Sequence, residues 1–362
     1  SMRFKVDRGE FLSALQKAKN ATEKKSALPI LNNFLLSAQE DRLTIKATDL
    51  ENFLSISLKA QIEQEGKAAV NADKLTSVIK SLATASISAE LKDDKLILSG
   101  GRSTFKLLTL DPEDFPEFPS VKASADFPAL DLIKAIDKVE YAISKDDSRY
   151  ALQGLYVHEV DGKTHFVGSD GHRLALYWRE GEFPMEFLIP RKSLKVIQGL
   201  LEDYLGRVSS GKDESFVHLS GEDFQLSVRF LEGEYPDYMA VIPTSFNHEV
   251  LADKDALLDS LKRLSSIAES SAFPVKITFS DHLALLEITD PEYGEGRDEL
   301  DVDYSGEPVE VGFNGRYLIE ALNSFDVSKV WIKIIDPDSA VVIESDDREK
   351  DPYLCVVMPM RL

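Results

Sequence analysis

The chain repeats itself three times at a spacing close to 120 residues, and this period constrains the fold more than any other feature. Phe115-Pro116-Glu117-Phe118 returns 120 positions later as Tyr235-Pro236-Asp237-Tyr238. Leu75, Leu194 and Leu318 head three similar amphipathic stretches, 119 and 124 residues apart. Phe11-Leu12, Leu132-Ile133 and Leu257-Leu258 form a third register, at 121 and 125. The run Asn71-x-x-x-Leu75-x-x-Val78-Ile79 comes back as Asn314-x-x-x-Leu318-x-x-Ala321-Leu322, with a looser middle copy from Pro190 through Leu194 and Ile197. Periods of about 20–50 residues build solenoids whose units cannot fold alone. A period near 120 is domain-sized, so each copy should own a core. The reading is three similar domains, residues 1–122, 123–247 and 248–362.

Within each copy, 3.6-period stretches alternate with short period-2 runs. Helices are expected over 7–25, 72–83, 131–149, 190–201, 253–269 and 314–325. Arg42–Thr48, Lys95–Ser99, Phe224–Phe230 and Val330–Ile335 alternate apolar and polar, as strands with one buried face do. Gly100-Gly101, Asp161-Gly162 and Asp336-Pro337 punctuate them as turns. The order strand, helix, strands, helix, strands is α+β: two helices per domain backed by antiparallel sheets.

Acidic residues outnumber basic ones, 63 to 42, for a net charge of −21, which taken alone argues against a nucleic-acid partner. The distribution of the charges points the other way. The six helical stretches hold 18 basic and 14 acidic residues, a balance of +4, while the remainder carries −25. Helices sharing one phosphate-tolerant surface would produce this split; solvated lysines on ordinary helix faces are the alternative. No run of about 18 uncharged apolar residues occurs, so a soluble cytoplasmic protein is expected. The single cysteine, Cys355, lies in an apolar strand pattern and reads as a buried thiol.

No catalytic constellation assembles. The chain lacks a Gly-x-x-x-x-Gly-Lys-Ser/Thr phosphate loop, and its six histidines show no i, i+4 pair and no cysteine partners, so neither a metal nor a cofactor is implied. Two segments stand out instead. Val167-Gly168-Ser169-Asp170-Gly171-His172-Arg173-Leu174-Ala175 leaves a strand through an Asp-Gly turn. Val356-Val357-Met358-Pro359-Met360-Arg361-Leu362 places pliable methionines at a chain end, where residues are normally polar.

Ser169-Asp-Gly-His-Arg-Leu-Ala175, the preceding Arg149-Tyr150-x-Leu152-x-Gly154, the Tyr235–Tyr238 block and the Val-Met-Pro-Met-Arg-Leu ending together resemble the beta subunit of bacterial DNA polymerase III, the sliding-clamp family. Lys25-Ser-Ala-Leu-Pro-Ile-Leu31 and Tyr304-Ser305-Gly306 fit as well, so the resemblance spans the chain in order. It implies a head-to-tail homodimer of three-domain subunits, closed as a ring around duplex DNA without reading sequence and without catalysis. Its partners would be the replicative polymerase, the clamp loader and other proteins with a clamp-binding motif, and no membrane. The implied peptide cleft, between the second and third domains, comprises Leu152, Ser169, Gly171, His172, Arg173 and Leu174, then Pro236 and Val241, then Val356, Met358, Pro359, Met360 and Arg361. Ser169 stands where the family often has Thr. Channel-facing cations would be Lys24, Lys25, Lys80, Lys138, Lys145, Arg149, Arg191, Lys192, Lys195 and Lys262. The subunit interface would join Phe105 and Leu107 to Leu264 and Ile267 of another copy, with Ala268 smaller than the family pattern suggests. Two alternatives belong to other classes: a peptide-binding scaffold that never encloses DNA, and a carboxylate-pair glycosidase, for which Trp178 and Trp331 are few aromatic platforms.

Overall fold

The structure, a computed structural model, describes residues 1–24, 27–146, 148, 152–181 and 186–362. One element order recurs three times along it: strand, helix, three strands, strand, helix, three strands, with one extra short strand, Gln61–Gln64, in the first copy. The helices are α1 (Arg8–Lys19), α2 (Ala72–Ser81), α3 (Ala129–Val139), α4 (Arg191–Leu201), α5 (Lys254–Leu264) and α6 (Gly315–Asn323). The last residue of a strand precedes each of them. At four of these junctions it is Asp7, Asn71, Asp253 or Asn314, whose side chain accepts a backbone N–H of the first turn and satisfies a donor the helix cannot pair. Pro128 and Pro190 hold the equivalent places before α3 and α4.

The landmarks that set the period all point inward. Phe11, Leu75, Leu132, Leu194, Leu257 and Leu318 are buried. Each would cost about 2–5 kcal/mol if truncated to alanine in a packed core. Three expected helices end well short of their expected bounds. α1 stops at Lys19 because the N–H of Asn20 turns back to the carbonyls of Lys17 and Ala18. α3 stops at Val139, whose φ of −124° leaves the helical region and opens a single 3-10 turn, Glu140–Ala142. α5 stops at Leu264, where a 3-10 turn, Ser265–Ile267, takes over.

Contacts divide the chain into two compact units: Ser1–Ile133 with Lys192–Phe230, and Lys134–Arg191 with Leu231–Leu362. The first unit is built on a thirteen-stranded antiparallel sheet, continued where Phe224–Arg229 pairs with Asn52–Lys59, Leu226 facing Leu54. The second holds an eight-stranded antiparallel sheet, continued in the same manner where Arg173–Glu180 pairs with Tyr353–Val357, Leu174 facing Val356. It also holds a four-stranded sheet that ends on Gly294–Asp301. Counting strands within each copy exposes the rule. The fourth strand of one copy, here Asn52–Lys59 or Arg173–Glu180, pairs with the last strand of the next, Phe224–Arg229 or Tyr353–Val357. Two strands are left over. Gly294–Asp301, the fourth of copy three, is a sheet edge. Ser103–Leu110, the last of copy one, pairs with Lys95–Gly100 on one side and, on the other, with Gly66–Asn71 only through Leu110 and Thr109.

Because side chains alternate across a strand, the eight-stranded sheet has two unlike faces. Tyr353 and Cys355 point to the face carrying Tyr141 and Lys138, where the Tyr141 hydroxyl bonds both Tyr353 Oη (2.8 Å) and Cys355 Sγ (3.0 Å). Burial pushes the Cys355 thiol up to about 11, so it is inert at neutral pH, as its strand pattern suggested. Leu354 and Val356 point the other way, into a cluster with Leu174, Leu176, Trp178, Tyr235 and Tyr238.

Candidate functional site

That second face carries a cleft of about 270 Å³, with far more apolar than polar lining. Its floor is the cross-strand pair Leu174 and Val356, 5% and 4% exposed. Leu152, Ser169, Gly171, His172 and Arg173 come from the ends of the neighbouring strands; Tyr235, Pro236, Asp237, Tyr238 and Val241 come from the segment that crosses the sheet; Met358 closes the end. Ten of the thirteen residues implied by the family resemblance therefore meet at one cavity. Pro359, Met360 and Arg361 do not line it. The chain turns away after Met358: the Met360 N–H donates to the Gly312 carbonyl (2.8 Å), and Arg361 lies 3.4 Å from Asp338. Gly312 permits this approach, since a Cβ there would collide with the Met360 carbonyl.

The turn at the rim is held locally. Asp170 Oδ1 accepts the N–H groups of His172 (2.9 Å) and Arg173 (3.0 Å), and Gly171 takes φ +88°, a conformation that side chains disfavour. The Ser169 hydroxyl donates to the Arg173 carbonyl (3.0 Å), and the His172 carbonyl accepts the Met358 N–H (3.0 Å), tying the tail to the turn. The Arg173 guanidinium is committed elsewhere. It bonds Glu320 (2.7 Å), Asp170 (3.2 Å) and the Tyr141 carbonyl (2.9 Å) between the rings of Tyr141 and Tyr317, so it braces the rim and is not a free donor into the cleft.

Tyr235 and Tyr238 line the cleft as well: their block was singled out for its periodicity and for the family resemblance, but of its four residues only Pro236 was among those expected in the cleft. Tyr238 is the better anchored: its hydroxyl sits 2.6 Å from His158 Nε2 and 2.7 Å from His165 Nδ1. One imidazole must donate and the other accept. Burial keeps both rings neutral, lowering His158 and taking His165 down to about 4. Tyr235 stacks on Tyr156 at 4.5 Å, and its buried hydroxyl has no protein partner among the described residues. No group of three or more His, Cys, Asp or Glu among the described residues is placed to hold a metal ion.

The other sequence-derived residues separate sharply. Lys24, Lys80, Lys145, Arg191, Lys192, Lys195 and Lys262 are exposed. Lys25 and Arg149 lie outside the described residues. Lys138 corrects an expectation: it is 3% exposed and donates to Asp351 Oδ1 (2.7 Å) and to the Ser324 carbonyl, so it has no reach to a phosphate. On the leftover strand Ser103–Leu110, Phe105 is 39% exposed and Leu107 is half-buried, while Leu108, not anticipated, is 77% exposed because it points from the opposite face. Leu264 is already buried, on the same α5 stripe as Leu257, Leu258 and Leu261, and packs under Gly296. It can back an interface but does not offer surface. Ile267 is half-buried.

Comparison with known proteins agrees along the whole chain. Three family models match in series: DNA polymerase III beta subunit, N-terminal domain over residues 2–119, central domain over 127–237, and C-terminal domain over 239–361. The chain is 32% identical to the beta sliding clamp of Caulobacter vibrioides and 28% identical to that of Pseudomonas aeruginosa, each alignment covering 100% of both chains. Among solved structures, a sliding clamp of Bartonella birtlesii bound to griselimycin superposes with a TM-score of 0.94 at 28% identity, and the Caulobacter crescentus DNA polymerase sliding clamp with 0.92 at 31%, both over 100% of each chain.

Proposed function

Because the chain belongs to the DNA polymerase III beta subunit family, the beta sliding clamps, it is a processivity factor and not a catalytic enzyme, and we propose that it works as a head-to-tail homodimer closed around duplex DNA. The observation that carries this reading is the pair of leftover strands. Within the chain, fourth strand meets last strand twice. The same rule joins Gly294–Asp301 of one subunit to Ser103–Leu110 of the next, a heterologous contact that closes when two copies complete the circle. Unpaired edges otherwise invite uncontrolled pairing. Phe105 and Leu108 add apolar area to the join, and Lys106 would meet a strand rich in Glu295, Asp298, Glu299 and Asp301.

The three domains would divide near residues 122 and 247, with the helices facing DNA. Lys24, Lys80, Lys145, Arg191, Lys192, Lys195 and Lys262 would touch phosphates weakly and without base readout, while the acidic remainder repels DNA from other surfaces. The cleft over Leu174 and Val356 would take a short peptide of the polymerase, the clamp loader or another partner, anchored by apolar side chains. Membership of a bacterial replication family implies a cytoplasmic location, and no helix among the described residues is long and apolar enough to cross a membrane. Association with the nucleoid would follow from encircling DNA.

Retention on DNA is the test. After loading onto a nicked circular plasmid, the protein should co-elute with DNA through gel filtration and be released when the plasmid is linearised. Equal release from circular and linear DNA would refute encirclement. Binding of a short peptide containing Gln, Leu and Phe, lost in Leu174→Glu, tests the cleft separately.

A further inference from the structure

Two residues beyond the cleft floor, along the same two strands and on the same face, Leu176 pairs with Leu354. This pair floors a second cavity, of about 410 Å³. Same-face neighbours on a strand stand about 7 Å apart, so the two cavities are adjacent. They are separated by the crossing segment, which gives Tyr238 and Val241 to the cleft and Met239 and Ile242 to the second groove. Trp178 and Phe246 complete its apolar walls. Its rim is cationic: Lys163, Lys333 and Arg348 against the single carboxylate of Glu344, on a chain whose net charge is −21. Glu344 is 7% exposed and already shared by Lys333 and Arg348. The Arg348 guanidinium lies 5.3 Å over Trp178 with its side chain 58% exposed, so N–H groups beyond the one given to Glu344 face solvent. Lys163 is tied only loosely, 3.7 Å from the exposed Glu180.

We propose that this groove is a second docking surface for the partner segment whose core occupies the cleft: an apolar side chain settles over Leu176, Leu354 and Ile242, and an adjoining carboxylate meets Arg348 and Lys163. The proposal rests on reading the cleft as a peptide site. A gap of about 7 Å is spanned by two or three extended residues, so the occupant is a flank of the same peptide. DNA is the poorer occupant. Glu344 in the groove, Glu180 beside Lys163 and Glu249, 3.4 Å from Lys333, would repel a polyanion yet leave room for one carboxylate.

Fluorescence anisotropy on the full-length protein decides it, with three synthetic peptides: a Gln-, Leu- and Phe-containing core, and that core extended by Gly-Leu-Glu at its N-terminus or its C-terminus. One extended peptide should bind at least fivefold more tightly than the core. In the double variant Lys163→Glu, Arg348→Gln that gain should fall below twofold while the affinity of the core stays unchanged. Replacing the extension's Leu by Ser should remove most of the gain as well. No gain from either extension, a gain that survives the double variant, or an equal gain with Ser would overturn the groove. Displacement of the extended peptide alone by duplex oligonucleotide would assign the groove to DNA and overturn it too. If the core fails to bind the unaltered protein, the cleft reading falls and takes this proposal with it.

Discussion

Replacing Lys138 by Met separates a buried structural cation from a DNA contact. Lys138 Nζ lies 2.7 Å from Asp351 Oδ1, with the two side chains 4% and 0% exposed, and 3.3 Å from Asp326. At that separation the gross Coulomb attraction is about 6 kcal/mol for an effective dielectric near 20. Desolvating two ions offsets much of it, so the intact pair contributes little net stability. Removing one partner is a different matter. Asp351 keeps the Asp326 N–H at its other oxygen (2.7 Å) but is left buried without its cation, at a cost of about 3–5 kcal/mol. Lys138→Met should therefore lower the unfolding temperature by several degrees, measured calorimetrically. Adding Asp351→Asn to it should restore more than half of the loss. Because Lys138 does not reach solvent, retention of the folded variant on circular DNA should match the parent at all salt concentrations. A loss below about 0.5 kcal/mol, or weakened retention without a stability change, would refute the reasoning.

Three further outcomes are expected. Since burial holds His165 near 4 in the folded chain against an unfolded value of about 6.5, the unfolded state binds the extra proton between those values. The stability contributed by neutral His165 is thus complete above pH 6.5 and is lost as pH falls toward 4; His165→Gln should flatten the thermal stability profile across that window, and an unchanged slope would count against it. Tyr235→Phe deletes a buried hydroxyl that has no protein partner among the described residues, so thermal unfolding should be unchanged or shifted upward by up to about 1 kcal/mol, whereas a loss of more than that would reveal a hydrogen bond in the native state. Leu108→Asp places a charge on the most exposed apolar residue of the leftover strand and should weaken self-association at least tenfold by analytical ultracentrifugation without lowering the unfolding temperature of the monomer; an unaltered dimer would move the interface elsewhere.

Much of this protein is local in origin and therefore readable along the chain. The period, the six helices, the strands and the Asp/Asn caps arise from contacts within a few residues, where spacing alone decides which side chains turn inward. The cleft's residue types were legible too, since the Ser169–Leu174 turn and the Tyr235–Tyr238 block are contiguous motifs and resemblance supplied their grouping. What tertiary structure alone decided depends on partners far apart in sequence. Lys138 reads as a solvated helix lysine until Asp351, 213 residues later, is brought against it. Arg173 reads as a donor for a ligand until Glu320, 147 residues away, claims it. Leu108 counts as an ordinary strand residue until the sheet leaves its face uncovered, and Leu264 as interface until Gly296 covers it. The tail was divided in the same way: Val356 enters the core because Leu174 pairs with it, whereas Pro359, Met360 and Arg361 leave the cleft because Gly312 has no side chain to keep the Met360 carbonyl away. Periodicity states which face of an element is apolar. Only the folded chain states what covers that face, because burial and charge pairing are properties of the neighbours that folding assembles.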